Sequence, residues 1–367
     1  MAASKPNHGT TSPKRKRGNQ PISLLACAEI SPASPILAIH SGALGDVVIF
    51  ARLLEQLGGP VTLMAGGEKG RLLEGLGVVA RSIDFDSLPM HELFCDTPAS
   101  QCELPRLLGR YERIVSCFGS GDARAENRLT EFCQAGRADF LPIRPAADWP
   151  SHLLSLWRQM LGVPQTIASE NFPAWPVPAS MHMAGQSLMC ALGKAFRSGI
   201  PARLGCTPAW NAASDRARPT ESGDDYFVIH PGAGSPSKCW PLERFVELAG
   251  LVKNRAKIAR VVFVAGPAEA DWWGPDKLDS LSRDFPLFVA PPLAQLAGLL
   301  AGASLYIGND SGVSHLAAAV GAPTVAIFGP TSGTHFAPLG PKVKVLQKPR
   351  LEQIDVHEVV QIADNLF

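Results

Sequence analysis

ASLYIGNDSGVSHLAAAVGAPTVAIFGPT, residues 303–331, carries two short apolar runs, each closed by glycine and polar residues. The first run ends in Gly308-Asn309-Asp310-Ser311-Gly312, and His315 then opens a stretch of small residues that reads as a helix. The second run, 324–328, stops at Gly329-Pro330-Thr331. Short apolar runs bounded by turn residues read as buried strands, so the order is strand, turn, helix, strand, loop, the unit of a parallel α/β sheet. Ligands of such sheets gather beyond the carboxyl ends of the strands, and this stretch collects its polar residues there. Many α/β half-domains share the apolar phase; the placement of Asp310 and His315 is what suggests an enzyme site.

The same alternation extends in both directions. Residues 226–230 are a strand, 231–235 a loop of small residues, and a helix follows Trp240 with Pro241 in its first turn. Strands at 260–265 and 287–290, a helix at 293–302, a strand at 343–346 and a terminal helix at 356–365 complete this half. Towards the N-terminus, strands are expected at 36–40, 60–65, 78–83, 113–118 and 138–141, with helices at 46–57, 69–76 and 125–134 between them. Residues 181–225 read as a linker, and Pro219-Thr220-Glu221-Ser222-Gly223-Asp224-Asp225 marks the boundary. At 367 residues the chain exceeds what one core usually fills. The expectation is an α/β protein of two Rossmann-like domains, 35–221 and 222–350, whose parallel sheets face each other across a cleft.

Composition narrows the function classes. Lys+Arg 34 against Asp+Glu 33 gives no global attraction to nucleic acid or to an acidic membrane. The whole-chain charge of +1 hides +5 within residues 1–20, where Lys5, Lys14, Arg15, Lys16 and Arg17 meet no acid. That polar stretch resembles a small localisation patch, but its plain reading, with the rest of 1–34, is a disordered basic tail. Deleting residues 1–30 is therefore expected to leave the melting temperature and turnover unchanged, and a large loss of either would show that the tail folds or joins a site. No run is long enough for a membrane span. The 8 cysteines form no CxxC pair, which argues against a zinc knuckle or a disulfide framework and for a reducing cytoplasm.

Three loops hold the candidate chemistry. Gly42-Ala43-Leu44-Gly45-Asp46 follows a strand and opens a helix, so Gly42 and Gly45 permit a ligand to approach backbone amides. It is neither GxGxxG nor a P-loop. Asp46 suits a helix cap, or a carboxylate that accepts a proton from a substrate hydroxyl. Gly232, Ala233 and Gly234 amides, the Ser235 and Ser237 hydroxyls and the Lys238 ammonium form either an anion site or a plain turn. Asp310 could cap its helix, and His315 could be an ordinary buried histidine. Glu269 suits hydrogen bonding to ribose or base, or simple solvation.

Taken together, these segments resemble the ADP-heptose:lipopolysaccharide heptosyltransferases, glycosyltransferase family 9. The resemblance rests on GALGD, on HPGAGSPSKCWPLERFVELA from His230, on VVFVAGPAEAD from Val261, and on YIGNDSGVSHLAAAVGAPTVAIFGPT from Tyr306. It implies the GT-B fold and an inverting transfer of a sugar, a heptose, from a nucleoside-diphosphate donor to a lipopolysaccharide core or other glycolipid, without metal or cofactor. By that likeness Asp46 is the general base and Lys238 meets donor phosphate. Glu269 holds the nucleoside, while Asp310, Ser311, Gly312 and His315 form the donor motif with Thr331 at its mouth. The family further implies that the terminal helix, 351–367, crosses back onto the N-terminal domain, and that a monomer works at the cytoplasmic face of the inner membrane, away from nucleic acid. Many members have threonine where this chain has Ser311, which keeps the hydroxyl. The segments 84–105 and 165–215 hold few basic residues to grip a phosphorylated inner core. A nucleotide-sugar epimerase or hydrolase, or an inactive nucleotide-binding module, are the rival readings.

Overall fold

The computed structural model describes residues 36–164, 172–197, 203–204, 225–255 and 260–366. The basic tail, residues 165–171, most of 198–215 and all but Asp225 of the expected 219–225 boundary lie outside them. The first sheet is built from Ile36–Ile39 (β1), Val61–Ala65 (β2), Arg81–Asp84 (β3), Arg113–Ser116 (β4) and Arg137–Phe140 (β5). All pairs are parallel, in the order β3-β2-β1-β4-β5. β1 is buried at every position, as a strand must be when helices cover both faces of its sheet.

The second sheet comprises Arg203–Leu204 (β6), Tyr226–His230 (β7), Arg260–Ala265 (β8), Leu287–Val289 (β9), Leu305–Asn309 (β10), Thr324–Phe328 (β11) and Val343–Gln347 (β12). Its order is β12-β11-β10-β7-β8-β9-β6, again parallel. Each sheet grows first to one side and then to the other, so strand order reverses between β1 and β4 and between β7 and β10. Such reversals open a crevice beyond the strands' carboxyl ends. The Gly42–Asp46 loop follows β1, and the loops after His230 and Asn309 follow β7 and β10. Both crevices thus hold the candidate residues.

The helices follow in chain order: α1 (Leu44–Leu54), α2 (Glu68–Gly75), α3 (Leu104–Leu108), α4 (Ala123–Phe132), α5 (Leu153–Leu161), α6 (Ala179–Arg197), α7 (Leu242–Arg255), α8 (Pro267–Asp284), α9 (Leu293–Ala301), α10 (Gly312–Ala319), α11 (Gly333–Phe336) and α12 (Val356–Asp364). One buried apolar cluster runs from β1, α1 and α5 to α9 and α10, so the two sheets share a continuous core. Among the described residues no helix is long and apolar enough to cross a membrane.

Three expectations are corrected. Residues 181–197 belong to α6, a helix of 19 residues rather than a linker. β6 pairs with β9, so residues 203–204, expected in the first domain, belong to the second sheet. The terminal helix α12 packs within its own domain: Val356, Val359, Val360 and Ala363 are buried in one cluster with Phe245, Leu248 and Ala249 of α7. Their i, i+3, i+4, i+7 spacing makes a single apolar stripe, and α7 covers it.

The α6–α9 contact is unusually close. A Cβ added to Gly298 would lie 1.8 Å from the Met181 carbonyl oxygen, which is backbone and has nowhere to retreat. Gly298→Ala is expected to destabilise the protein by at least the ~1–3 kcal/mol of an overpacked core. Gly250→Ala on α7, where an added Cβ meets nothing within 4 Å, serves as control. Urea midpoints check the pair; equal midpoints would show that the α6–α9 crossing is loose.

Candidate active site

Asp46 is the third residue of α1, and its carboxylate reaches back to accept a hydrogen bond from the Ala43 amide at 3.2 Å. A carboxylate in the first turn also complements the positive end of the helix. It remains partly exposed. Beside it, the Lys69 ammonium donates to the Gly42 carbonyl at 2.8 Å and steadies the loop. His40, buried at the end of β1, accepts from the Gly42 amide through Nδ1 at 3.0 Å. Burial first, and Lys69 second, push its pKa down to about 4, so the ring is neutral at physiological pH.

On the facing side, Lys238 Nζ lies 2.8 Å from Asp310 Oδ2. Asp310 directly precedes α10 but does not cap it. Ser311 is the cap, its hydroxyl accepting from the Ser314 amide at 3.3 Å and meeting His230 Nδ1 at 3.2 Å. A serine or threonine hydroxyl can fill both roles. Asn309, fully buried, ties the neighbouring loops together: its Oδ1 accepts from the Trp240 amide at 3.0 Å and its Nδ2 donates to the Pro231 carbonyl at 2.8 Å.

His315 is buried, and its Nδ1 has no hydrogen-bond partner among the described residues. Burial lowers its pKa, against the opposing pull of Asp310 and Asp46. Its ring packs where a side chain on residue 45 would stand: a Cβ on Gly45 would be 2.8 Å from His315 Cδ2. A Cβ on Gly312 would likewise be 2.7 Å from the Cβ of Leu44. These two glycines let the N-terminal ends of α1 and α10 meet.

The result is one cleft of about 420 Å³, lined among others by Gly42, Gly45, Asp46, Gly234, Ser235, Lys238, Asp310, Ser311, Gly312, His315 and Thr331. Two helix N-termini open into it, and helix N-termini attract anions. Three expected residues stand elsewhere. Gly232 and Ala233 are buried and do not line the cleft. Glu269 is 3 % exposed and turns inward: it accepts from the Gly266 amide at 2.6 Å and lies 3.6 Å from His230 Nε2. Burial works to raise its pKa, but the neighbouring His230 ring and the Gly266 amide outweigh that, so the carboxyl sits below its usual range.

Ile143 and Arg144 line the same cleft, and sequence reading missed them. They lie in the loop between β5 and α5, where no apolar period or glycine pattern signals a site. Arg144 supplies a cation on the Asp46 side. Among the described residues no group of His, Cys, Asp and Glu converges to hold a metal ion.

Comparison with known proteins bears on the fold and on the second half of the chain. Residues 200–363 match the model of glycosyltransferase family 9 (heptosyltransferase). A stretch of 118 residues is 31 % identical to lipopolysaccharide heptosyltransferase 3 of Escherichia coli, covering 31 % of this chain and 34 % of that protein's length. A glycosyl transferase family 9 structure from Veillonella parvula superposes with a TM-score of 0.64 at 17 % identity, covering 90 % of this chain and 96 % of the other. The E. coli heptosyltransferase WaaC with ADP superposes with a TM-score of 0.60 at 19 % identity, covering 90 % and 99 %. The two facing parallel sheets are those of the GT-B fold these structures share.

Proposed function

We propose that the protein is an inverting heptosyltransferase, a reading supported by the match of residues 200–363 to the model of glycosyltransferase family 9 (heptosyltransferase). It moves a heptose from a nucleoside-diphosphate sugar, ADP-heptose, to a lipopolysaccharide core or related glycolipid. The observation that carries the reading is the convergence on one cleft of Asp46 from one domain and the Lys238–Asp310 pair from the other, each beside a helix N-terminus.

The proposed chemistry is a single displacement. An acceptor hydroxyl oxygen forms the new bond to the anomeric carbon while the bond from that carbon to the diphosphate oxygen breaks. The hydroxyl proton passes to Asp46, and the electron pair leaves with the nucleoside diphosphate. Growing negative charge on the diphosphate is met by Lys238, by the exposed amides near Gly234 and Ser235, and by the N-terminus of α10. Donors already in place stabilise such charge without reorganising during the reaction. Ile143, 56 % exposed in the cleft, offers an apolar contact, and Arg144 offers a cation to an anionic acceptor. In this reading the protein works in the cytoplasm, in peripheral contact with the membrane that holds its glycolipid acceptor.

The test is incubation of purified protein with ADP-heptose and bacterial glycolipid extract. A glycolipid heavier by one heptosyl unit, with ADP released in equal amount, is expected. Epimerised sugar, or free heptose released without acceptor, would overturn the transferase reading.

A further inference from the structure

Arg52 stands in the last turn of α1 and is 0 % exposed. Its Nη2 donates to the Ala319 carbonyl at 3.3 Å and to the Leu339 carbonyl at 3.5 Å, both in the second domain. Nη1 donates to Glu55 at 3.1 Å. The guanidinium lies over the Trp175 ring at 4.4 Å and the Phe172 ring at 5.3 Å. Trp175 completes the junction: its indole donates to Glu55 at 2.8 Å and its backbone amide to the Ala319 carbonyl at 2.7 Å.

Ala319 is the last residue of α10. The N-terminal ends of α1 and α10 touch through Gly45 with His315 and Leu44 with Gly312. Their C-terminal ends touch through Arg52. The two helices therefore run side by side in the same direction. That arrangement sets both positive ends at the cleft, where an anion gains from them, and both negative ends together, where they repel. A cation at that end offsets the repulsion and gives the Ala319 carbonyl a second donor beside the Trp175 amide. Without the cation the two negative helix ends would lie together with no opposing charge.

We propose that Arg52 is a positioning residue that locks the register of α1 against α10, and so sets the distance from Asp46 to the Lys238–Asp310 pair. The proposal rests on the transferase reading for its kinetic consequence and on geometry alone for its structural one. Arg52 touches neither the cleft nor any reacting group; it acts through the helices that bear them.

The experiment compares Arg52→Met, which keeps the stem and removes the charge, with Arg52→Lys, which keeps the charge but loses the fork. Three quantities are measured: kcat and donor KM, ADP affinity, and amide hydrogen exchange. Arg52→Met is expected to lower kcat on the order of 10²-fold, the scale of a reacting group misplaced by about 1 Å. Donor KM and ADP affinity should stay close to those of the unsubstituted protein, because Lys238 and α10 lie in one domain. Exchange should quicken in residues 43–55 and 312–322 while β1 and β7 stay protected, and Arg52→Lys should recover part of kcat. Unchanged kcat and exchange, or ADP affinity falling in step with kcat, would overturn the proposal. If Arg52→Met does not fold, Arg52→Lys decides: reduced kcat at constant ADP affinity supports the lock, and unaltered kcat and exchange overturn it. If the unsubstituted protein transfers no sugar, the proposed function falls, and exchange alone decides on Arg52.

Discussion

Asp46→Asn is expected to reduce sugar transfer by about 10² to 10⁴-fold, the usual worth of a positioned general base. The substitution is nearly isosteric. An asparagine oxygen can still accept the Ala43 amide that Asp46 accepts at 3.2 Å, so the start of α1 is kept. What disappears is the ability to take a proton, together with a helix-dipole interaction worth less than about 1 kcal/mol. Donor affinity should hold, because Asp46 stands across the cleft from Lys238. Steady-state kinetics and a thermal melt check both halves of this expectation. Turnover within about twofold of the unsubstituted protein would leave Asp46 as a purely structural residue of the first turn, since base catalysis is worth far more.

Lys238→Ala should lower turnover on the order of 10²-fold, as deletion of one preorganised donor to a developing anion does elsewhere. It should also weaken donor binding. Lys238 is held 2.8 Å from Asp310, so the vacated site would present an uncompensated carboxylate towards the diphosphate. Lys238→Ala combined with Asp310→Asn separates the two contributions: the added substitution should recover donor binding while turnover stays low. Turnover at the unsubstituted level in Lys238→Ala would remove the lysine from the reaction.

The strands and the loops that follow them were legible because buried parallel strands are near-continuous apolar runs ended by glycine and polar residues. β1, β7 and β11 lie within the expected runs, β10 continues through Gly308 and Asn309 of the expected turn, and GALGD and the DSG of residues 310–312 stand beyond the carboxyl ends of β1 and β10. The small-residue loop was only half legible. A row of glycine and alanine amides looks alike whether it faces a ligand or a neighbouring loop, and Asn309 turns the Pro231–Gly232 carbonyls inward. Glu269 shows the same limit: beside His230 and the Gly266 amide, a carboxylate finds better partners inside than in the cleft. Arg144 was invisible because a single arginine in an irregular loop carries no periodic signal.

By itself, the sequence determined which faces would be buried, where strands would stop, and which loops would carry polar groups, since these depend on local periodicity and backbone sterics. The tertiary structure alone decided what covers each buried face. The stripe on α12 would fit either domain, and α7 took it. The small residues of α6 found Gly298 on α9, where two backbones can nearly touch. An arginine at position 52 reads as an exposed helix residue until Ala319, Leu339 and Trp175 close around it. Partner choice depends on shape, charge and hydrogen-bond complementarity between segments a hundred or more residues apart, and no local pattern encodes that.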